Sequence, residues 1–211
     1  MKTYKIHLLR HGRTQDAGEG RYIGRTDLPL SPEGFSELLQ LRGRFTYPSA
    51  RRFFTSPLTR CRQTLELLYP GSQPTLVKGL SECDFGEWEG KSVAELKADP
   101  RYRDWIAGKS GEIPGGESAA QFQQRVMAAF EGVVEQLLRE GETEAVAVVP
   151  GGVMMLIMTA YGLPRLEMRE WAAEAGCGFT LRITPEVWMR EPVAEALCAI
   201  PWLEQEAPGE N

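Results

Sequence analysis

Short apolar runs alternate with helical stretches along almost the whole chain, and this alternation narrows the possible folds more than any other feature. Residues 4–10, Arg52 to Thr55, Thr75 to Val77 and Ala145 to Val149 read as strands, with two more from Cys177 to Thr184 and from Glu195 to Ile200. Between them lie helices with recognisable starts. Ser31-Pro32 places a capping hydroxyl before a proline at the first helical position, which opens a helix to about Phe45. Ser56-Pro57 repeats the device before residues 58–68, and Pro70-Gly71 closes that second helix. From Ser118 to Arg139 the apolar positions 122, 126, 130, 133, 134 and 137 trace one helical stripe that suits packing against a sheet. Gly152 to Tyr161 reads as a buried helix. Strands alternating with helices in this way predict a three-layer α/β/α sandwich with a mostly parallel sheet, whose functional sites form beyond the carboxyl ends of strands.

The chain has 211 residues, 42% of them apolar, and contains no apolar run of 18 residues. This suits a single domain over residues 1–203, able to bury roughly 70% of its unfolded surface, with a polar tail at 204–211 expected to be disordered. The interrupted segment from Lys91 to Gly116, broken by Pro100, Gly108 and Pro114, is expected as an excursion over one end of the sheet. Without a leader-like segment after Met1-Lys2, the expected location is the cytoplasm, with no membrane partner. Four scattered cysteines and only two histidines argue for free thiols, no metal site and no cofactor. A net charge of −5 with dispersed cations argues against a nucleic-acid partner, although cations converging in a cleft can still recruit an anion.

Chemistry concentrates where the first strand ends, in Leu8-Leu9-Arg10-His11-Gly12-Arg13-Thr14. An apolar run there delivers a guanidinium and an imidazole to the sheet's rim. The stretch resembles the Leu-x-Arg-His-Gly-x-Thr signature of the histidine phosphatase superfamily, and further segments extend the match. Gly24 to Gly34 is similar to that family's loop containing Gly24 and Thr26, Thr55 to Thr64 to its second arginine motif, and Leu80 to Gly90 to its acid motif. Pro114-Gly115-Gly116-Glu117-Ser118 matches as well.

The resemblance implies a phosphoglycerate mutase-like fold and a phosphomonoester hydrolase. His11 would be the nucleophile that becomes phosphorylated, and Glu82 the general acid and base. Arg10 and Arg60 would grip the phosphoryl oxygens with planar donor forks, since phosphoryl transfer depends on positioning and on stabilising spread charge. Gly24, Thr26 and Gly151 would complete the substrate site. Arg62, Glu87 and Glu89 read as surface or solvated groups. The implied partner is a small phosphorylated metabolite, in a pattern closer to small phosphatases such as α-ribazole phosphatases than to phosphoglycerate mutases.

One expected residue is missing. Where the family carries a second histidine, this chain reads Val149-Pro150-Gly151-Gly152, and proline offers neither a side-chain donor nor a backbone N–H. His7 cannot substitute, because four residues of strand put it about 13 Å from His11. Gly151-Gly152 opening a helix offers free N–H groups to an anion as partial compensation. Ala17 is a second departure, standing where mutase-like members carry an asparagine. Losing one transition-state donor typically costs about 100- to 1,000-fold in rate, so the expectation is reduced turnover with phosphate binding retained. A degenerate phosphate-ester binder and, further off, a phosphoglycerate mutase are the alternatives.

Overall fold

A computed structural model describes residues 2–15 and 20–203. The strands β1 (Tyr4–Arg10), β2 (Arg52–Thr55), β3 (Thr75–Leu76), β4 (Glu144–Val149), β5 (Gly162–Leu163), β6 (Gly178–Ile183) and β7 (Ala194–Ile200) form one sheet. Its order is β3-β2-β4-β1-β6-β7-β5. The half from β3 to β1 is parallel throughout, while β6 runs antiparallel to both β1 and β7. The sheet is therefore mixed, with its parallel half carrying the alternating strand and helix units that the sequence announces.

Helices α1 (Pro32–Arg44) and α2 (Thr59–Leu68) pack on one face. Short helices α3 (Val93–Leu96) and α4 (Pro100–Ile106) belong to the excursion, and α5 (Ala119–Glu140) and α6 (Gly151–Tyr161) cover the other face. A last short helix, α7 (Pro185–Trp188), links β6 to β7. The period of two along β1 divides the core. Ile6 and Leu8 point into the layer shared with α5 and α6, and Leu9 into the layer shared with α1 and α2. On α5, the stripe of Val126, Phe130, Val133, Val134 and Leu137 is buried as its spacing requires. Each such side chain contributes about 1.5–3 kcal/mol on burial, against a few tenths from intrinsic helix preference, so packing sets which face of α5 meets the sheet.

The excursion and the segment before it share a small core. Trp88 and Tyr102 are buried and meet edge to face at 5.5 Å, together with Cys83, Leu96 and Ile113. Tyr22 joins this cluster through Phe85 at 4.9 Å and donates or accepts a 2.8 Å hydrogen bond with the Tyr102 hydroxyl. The loop after β1 and the excursion are thus packed as one unit.

The start of α2 differs from the sequence expectation. Ser56-Pro57 does not cap it; the helix begins at Thr59, and its N-cap Leu58 supplies no side-chain acceptor. The acceptor comes instead from the distant loop. Asp27 Oδ1 accepts from the Thr59 N–H at 2.6 Å and Oδ2 from the Thr59 hydroxyl at 2.8 Å. A carboxylate at a helix N-terminus also faces the positive end of the dipole. Asp27→Ala is expected to lower stability by about 0.5–2 kcal/mol in urea unfolding, and Asp27→Asn to retain most of it. An unchanged midpoint in Asp27→Ala would show that the loop does not cap α2.

Candidate active site

Three parallel strands end side by side at one rim of the sheet, and each delivers a reactive segment there. β1 continues into His11, whose N–H still donates to Val149 O at 3.1 Å, so the backbone is clamped to the end of β4. The His11 Nδ1 lies 2.6 Å from Gly12 O, and since a carbonyl only accepts, Nδ1 carries the hydrogen. That leaves the lone pair on Nε2. Burial pushes the imidazole pKa down to about 3, with the positive charges of Arg60 and Arg10 acting in the same direction against the Gly12 carbonyl. His11 is therefore neutral at physiological pH and has a free nucleophilic nitrogen.

Arg60 comes from the first turn of α2 and is 1% exposed. Its Nη1 donates to Thr26 O at 2.9 Å and its Nη2 to Gly24 O at 2.7 Å. Arg10 donates through Nη1 to Ala173 O at 2.7 Å. Neither guanidinium forms an ion pair with a carboxylate among the described residues. Thr64, one turn beyond Arg60, accepts from the Gly12 N–H at 2.8 Å and donates to Arg60 O at 2.7 Å. One buried hydroxyl thus ties the loop after His11 to the helix that carries Arg60.

Glu82 is 9% exposed and lies in the same cavity. Its Oε1 accepts from Cys83 N–H at 2.9 Å and its Oε2 from Gly152 N–H at 3.0 Å. Burial raises its pKa above the usual carboxylate range, outweighing those two donors and the charges of Arg60 and Arg125. The carboxyl can therefore hold a proton where an exposed glutamate would not. Gly152 must lack a side chain here, since a Cβ would stand 2.5 Å from Glu82 Oε1.

Pro150 is the N-cap of α6 and has no side-chain hydrogen bond. Of the two amides that follow, the Gly152 N–H is committed to Glu82 rather than free for an anion. The Gly151 N–H has no protein acceptor among the described residues, and Gly151 borders the cavity beside Arg10. The partial compensation expected for the missing histidine thus narrows to one amide.

The cavity measures about 260 Å³. Arg10, His11, Arg60 and Glu82 gather at it, with Gly151, as the sequence suggests. Gly24 and Thr26 do not line it; their carbonyls hold Arg60 from behind, and a Cβ on Gly24 would collide with the Cys83 carbonyl. Glu89, read from sequence as solvated, is half-buried and accepts from the Gly24 and Thr26 N–H groups at 2.8 and 3.1 Å. It braces the loop that braces Arg60. Glu87 and Arg62 are exposed, Glu87 pairing with Arg101 and Arg62 donating to the Thr59 hydroxyl. His7 is buried away from the cavity, between Thr180 Oγ1 and Glu144 Oε2. Ala17 and the tail at 204–211 lie outside the described residues.

Sequence reasoning missed the walls. Ile23, Met154, Met155 and Ala172 make much of the surround apolar, with Thr14 and Arg21 adding polar groups. Only the fold could bring them together, because they come from the loop after β1, from α6 and from the segment before β6. No group of three His, Cys, Asp or Glu side chains among the described residues is placed to hold a metal ion. No described helix is long and apolar enough to cross a membrane.

Comparisons with known proteins bear on the family and the fold. The probable phosphoglycerate mutase GpmB of Salmonella choleraesuis is 31% identical over 167 residues, covering 76% of each chain. The structure of a phosphoglycerate mutase from Thermus thermophilus matches with a TM-score of 0.68 and 32% identity, covering 93% of this chain and 98% of that one. The α-ribazole phosphatase from Shigella flexneri superposes with a TM-score of 0.76 over 98% of this chain and all of its own, at 22% identity, a likeness of fold alone. A family model of the histidine phosphatase superfamily (branch 1) matches residues 6–192. With that match spanning the strand-end histidine, both arginines, the acid and the start of α6, the chain belongs to the histidine phosphatase superfamily.

Proposed function

We propose that the protein is a phosphatase that hydrolyses a small phosphomonoester through a phosphohistidine on His11. The observation that carries this reading is a neutral imidazole with a free Nε2, set in one small cavity with two arginines that form no ion pair with a carboxylate among the described residues and a carboxyl biased towards its protonated form. Cations that converge in a cavity, outnumbering a carboxyl that burial biases towards its neutral form, favour an anionic ligand.

The chemistry balances with these groups alone. Nε2 attacks phosphorus as the ester P–O bond breaks, and Glu82 gives its proton to the leaving alkoxide. The imidazole then carries positive charge, which its Nδ1–H shares with Gly12 O. Glu82, now ionised, takes a proton from water as the water oxygen attacks phosphorus. The N–P bond breaks, its electron pair returns to Nε2, and inorganic phosphate leaves. Arg10, Arg60 and the Gly151 N–H stabilise the phosphoryl oxygens throughout.

Phosphatase is preferred to mutase because the excursion between residues 91 and 116 is short, leaving little chain to retain an intermediate while its phosphate is exchanged. The relatives named phosphoglycerate mutase support the second reading, and the two differ in whether phosphate is released or returned. Pro150 is the feature that favours a third, a binder that holds a phosphate ester without hydrolysing it. The retention of Arg10, His11, Arg60 and Glu82 in one cavity supports catalysis, since such groups act as a unit.

Incubation with p-nitrophenyl phosphate, phosphoglycerates and a panel of phosphorylated metabolites should release inorganic phosphate, and His11→Ala should abolish it. Equal rates for the two proteins would end the catalytic reading. Pro150→His should raise turnover by about 100- to 1,000-fold if this corner limits the rate; no gain would mean that the Gly151 amide already suffices.

The pH dependence follows from the two shifted groups. His11 stays neutral down to about 3, so no loss of nucleophile is expected across the mildly acidic range. Glu82 must be protonated for the first step, so kcat/KM should fall as pH rises through its elevated pKa. In Glu82→Gln the rate should be lower and that fall absent, leaving only the ester's own ionisation. An identical alkaline fall in both proteins would remove Glu82 from the general-acid role.

A further inference from the structure

The segment that carries Glu82 has little regular structure of its own. It leaves β3, makes a single 3-10 turn over Lys78–Leu80 and enters the acid motif. Its position is set by α5. A Cβ on Gly79 would stand 2.5 Å from Ala129 Cβ, so the turn lies directly on that helix. One turn closer to the N-terminus of α5, Arg125 reaches the same segment. Its Nη1 donates to Gly79 O at 2.8 Å and Ser81 O at 2.9 Å, and its Nη2 to Glu82 O at 3.2 Å.

The guanidinium is itself held from its other edge. Nε donates to Glu117 Oε1 at 2.8 Å and Nη2 to Glu117 Oε2 at 2.7 Å, a bidentate pair just before the N-cap of α5. Burial works against the ionised form of Glu117, yet the bonds and charge of Arg125 keep its carboxyl below the usual range. Three backbone carbonyls of one short segment gripped by a planar fork, with the fork fixed by a carboxylate, make a rigid mount. Arg25 also approaches Glu117 Oε2 at 3.6 Å, from the loop whose carbonyls hold Arg60.

Resting on the phosphatase reading above, we propose that Arg125, oriented by Glu117, is a positioning residue for the general acid, fixing the 79–82 backbone so that the Glu82 carboxyl meets the leaving oxygen. Neither residue lines the cavity or touches the phosphoryl group. The contribution is geometric: a displaced carboxyl protonates the leaving group less well, while the arginine cage and His11 stay in place.

The consequence is a dependence on leaving group that a general structural role would not show. A p-nitrophenolate leaves without needing a proton, whereas an alkoxide needs one. Arg125→Lys keeps a charge but cannot form the fork, and Glu117→Gln keeps one acceptor but loses the ion pair. Each should lower kcat/KM, which reports the steps up to P–O cleavage, on an alkyl ester such as β-glycerophosphate by about tenfold or more, with much smaller loss on p-nitrophenyl phosphate. Inhibition by inorganic phosphate should be unchanged, because Arg10 and Arg60 are untouched.

A second measurement does not need turnover. Titrating the Glu82 carboxyl by carbon NMR of glutamate-labelled protein, assigned through Glu82→Gln, should give a higher midpoint in Arg125→Lys, as the bond from Gly152 N–H is weakened. The groups facing that carboxyl are Arg60 from α2, Arg125 from α5, the Gly152 amide from α6 and the Cys83 thiol and amide beside it. Equal proportional losses on both esters, or an unmoved midpoint, would overturn the proposal. Wild-type protein that hydrolyses neither ester would refute the phosphatase reading instead, and the midpoint would still decide the part played by Arg125.

Discussion

A guanidinium with almost no exposure and no carboxylate partner among the described residues is costly to bury, and the structure around Arg60 is organised to meet that cost. Two carbonyls accept from it, and those carbonyls are held in turn because Glu89 accepts from the amides of the same two residues. Backbone dipoles reduce the penalty of burial without cancelling the charge. The field of Arg60 therefore reaches the neighbouring imidazole and helps to keep it neutral. The buried guanidinium and the neutral imidazole are two results of one arrangement.

The same burial governs the proton affinity of Glu82. Glu82 is near enough to feel Arg60 and Arg125, yet burial outweighs both charges and its two amide donors. Burial thus lowers the proton affinity of the imidazole and raises that of the carboxyl. Pairs of titratable groups pushed in opposite directions are what proton transfer near neutral pH requires. The commitment of the Gly152 amide to Glu82 has a cost at the other side of the cavity. Position 150, where the motif resemblance implies a histidine, is the proline N-cap of α6, and the amide left at the cavity is that of Gly151.

Much of this was legible in the chain before any coordinates. Strand and helix alternation indicated the layered sheet, and the stripe on α5 indicated its buried face. Arg10, His11, Arg60 and Glu82 stand out in the sequence because their motifs resemble those of one family. Other parts were illegible for specific reasons. The acceptor that starts α2 is Asp27, thirty-two residues away in sequence, so no local capping pattern reveals it. Glu89 looked solvated because its partners are backbone amides, which leave no trace in side-chain types. Arg125 falls outside the apolar stripe of α5, and its three backbone acceptors are carbonyls on another segment, which no side-chain pattern marks.

Composition, periodicity and motif therefore determined which elements form, which faces they bury and which residue types could carry phosphoryl chemistry, because those depend on side-chain chemistry repeated along a local chain. Tertiary structure decided what those residues meet. It set the tautomer of His11 through Gly12 O, the elevated proton affinity of Glu82, the loss of the Gly152 amide to that carboxyl, and the apolar walls drawn from separate segments. Burial and hydrogen-bond partnership are relations between distant parts of the chain, and only folding brings them into being.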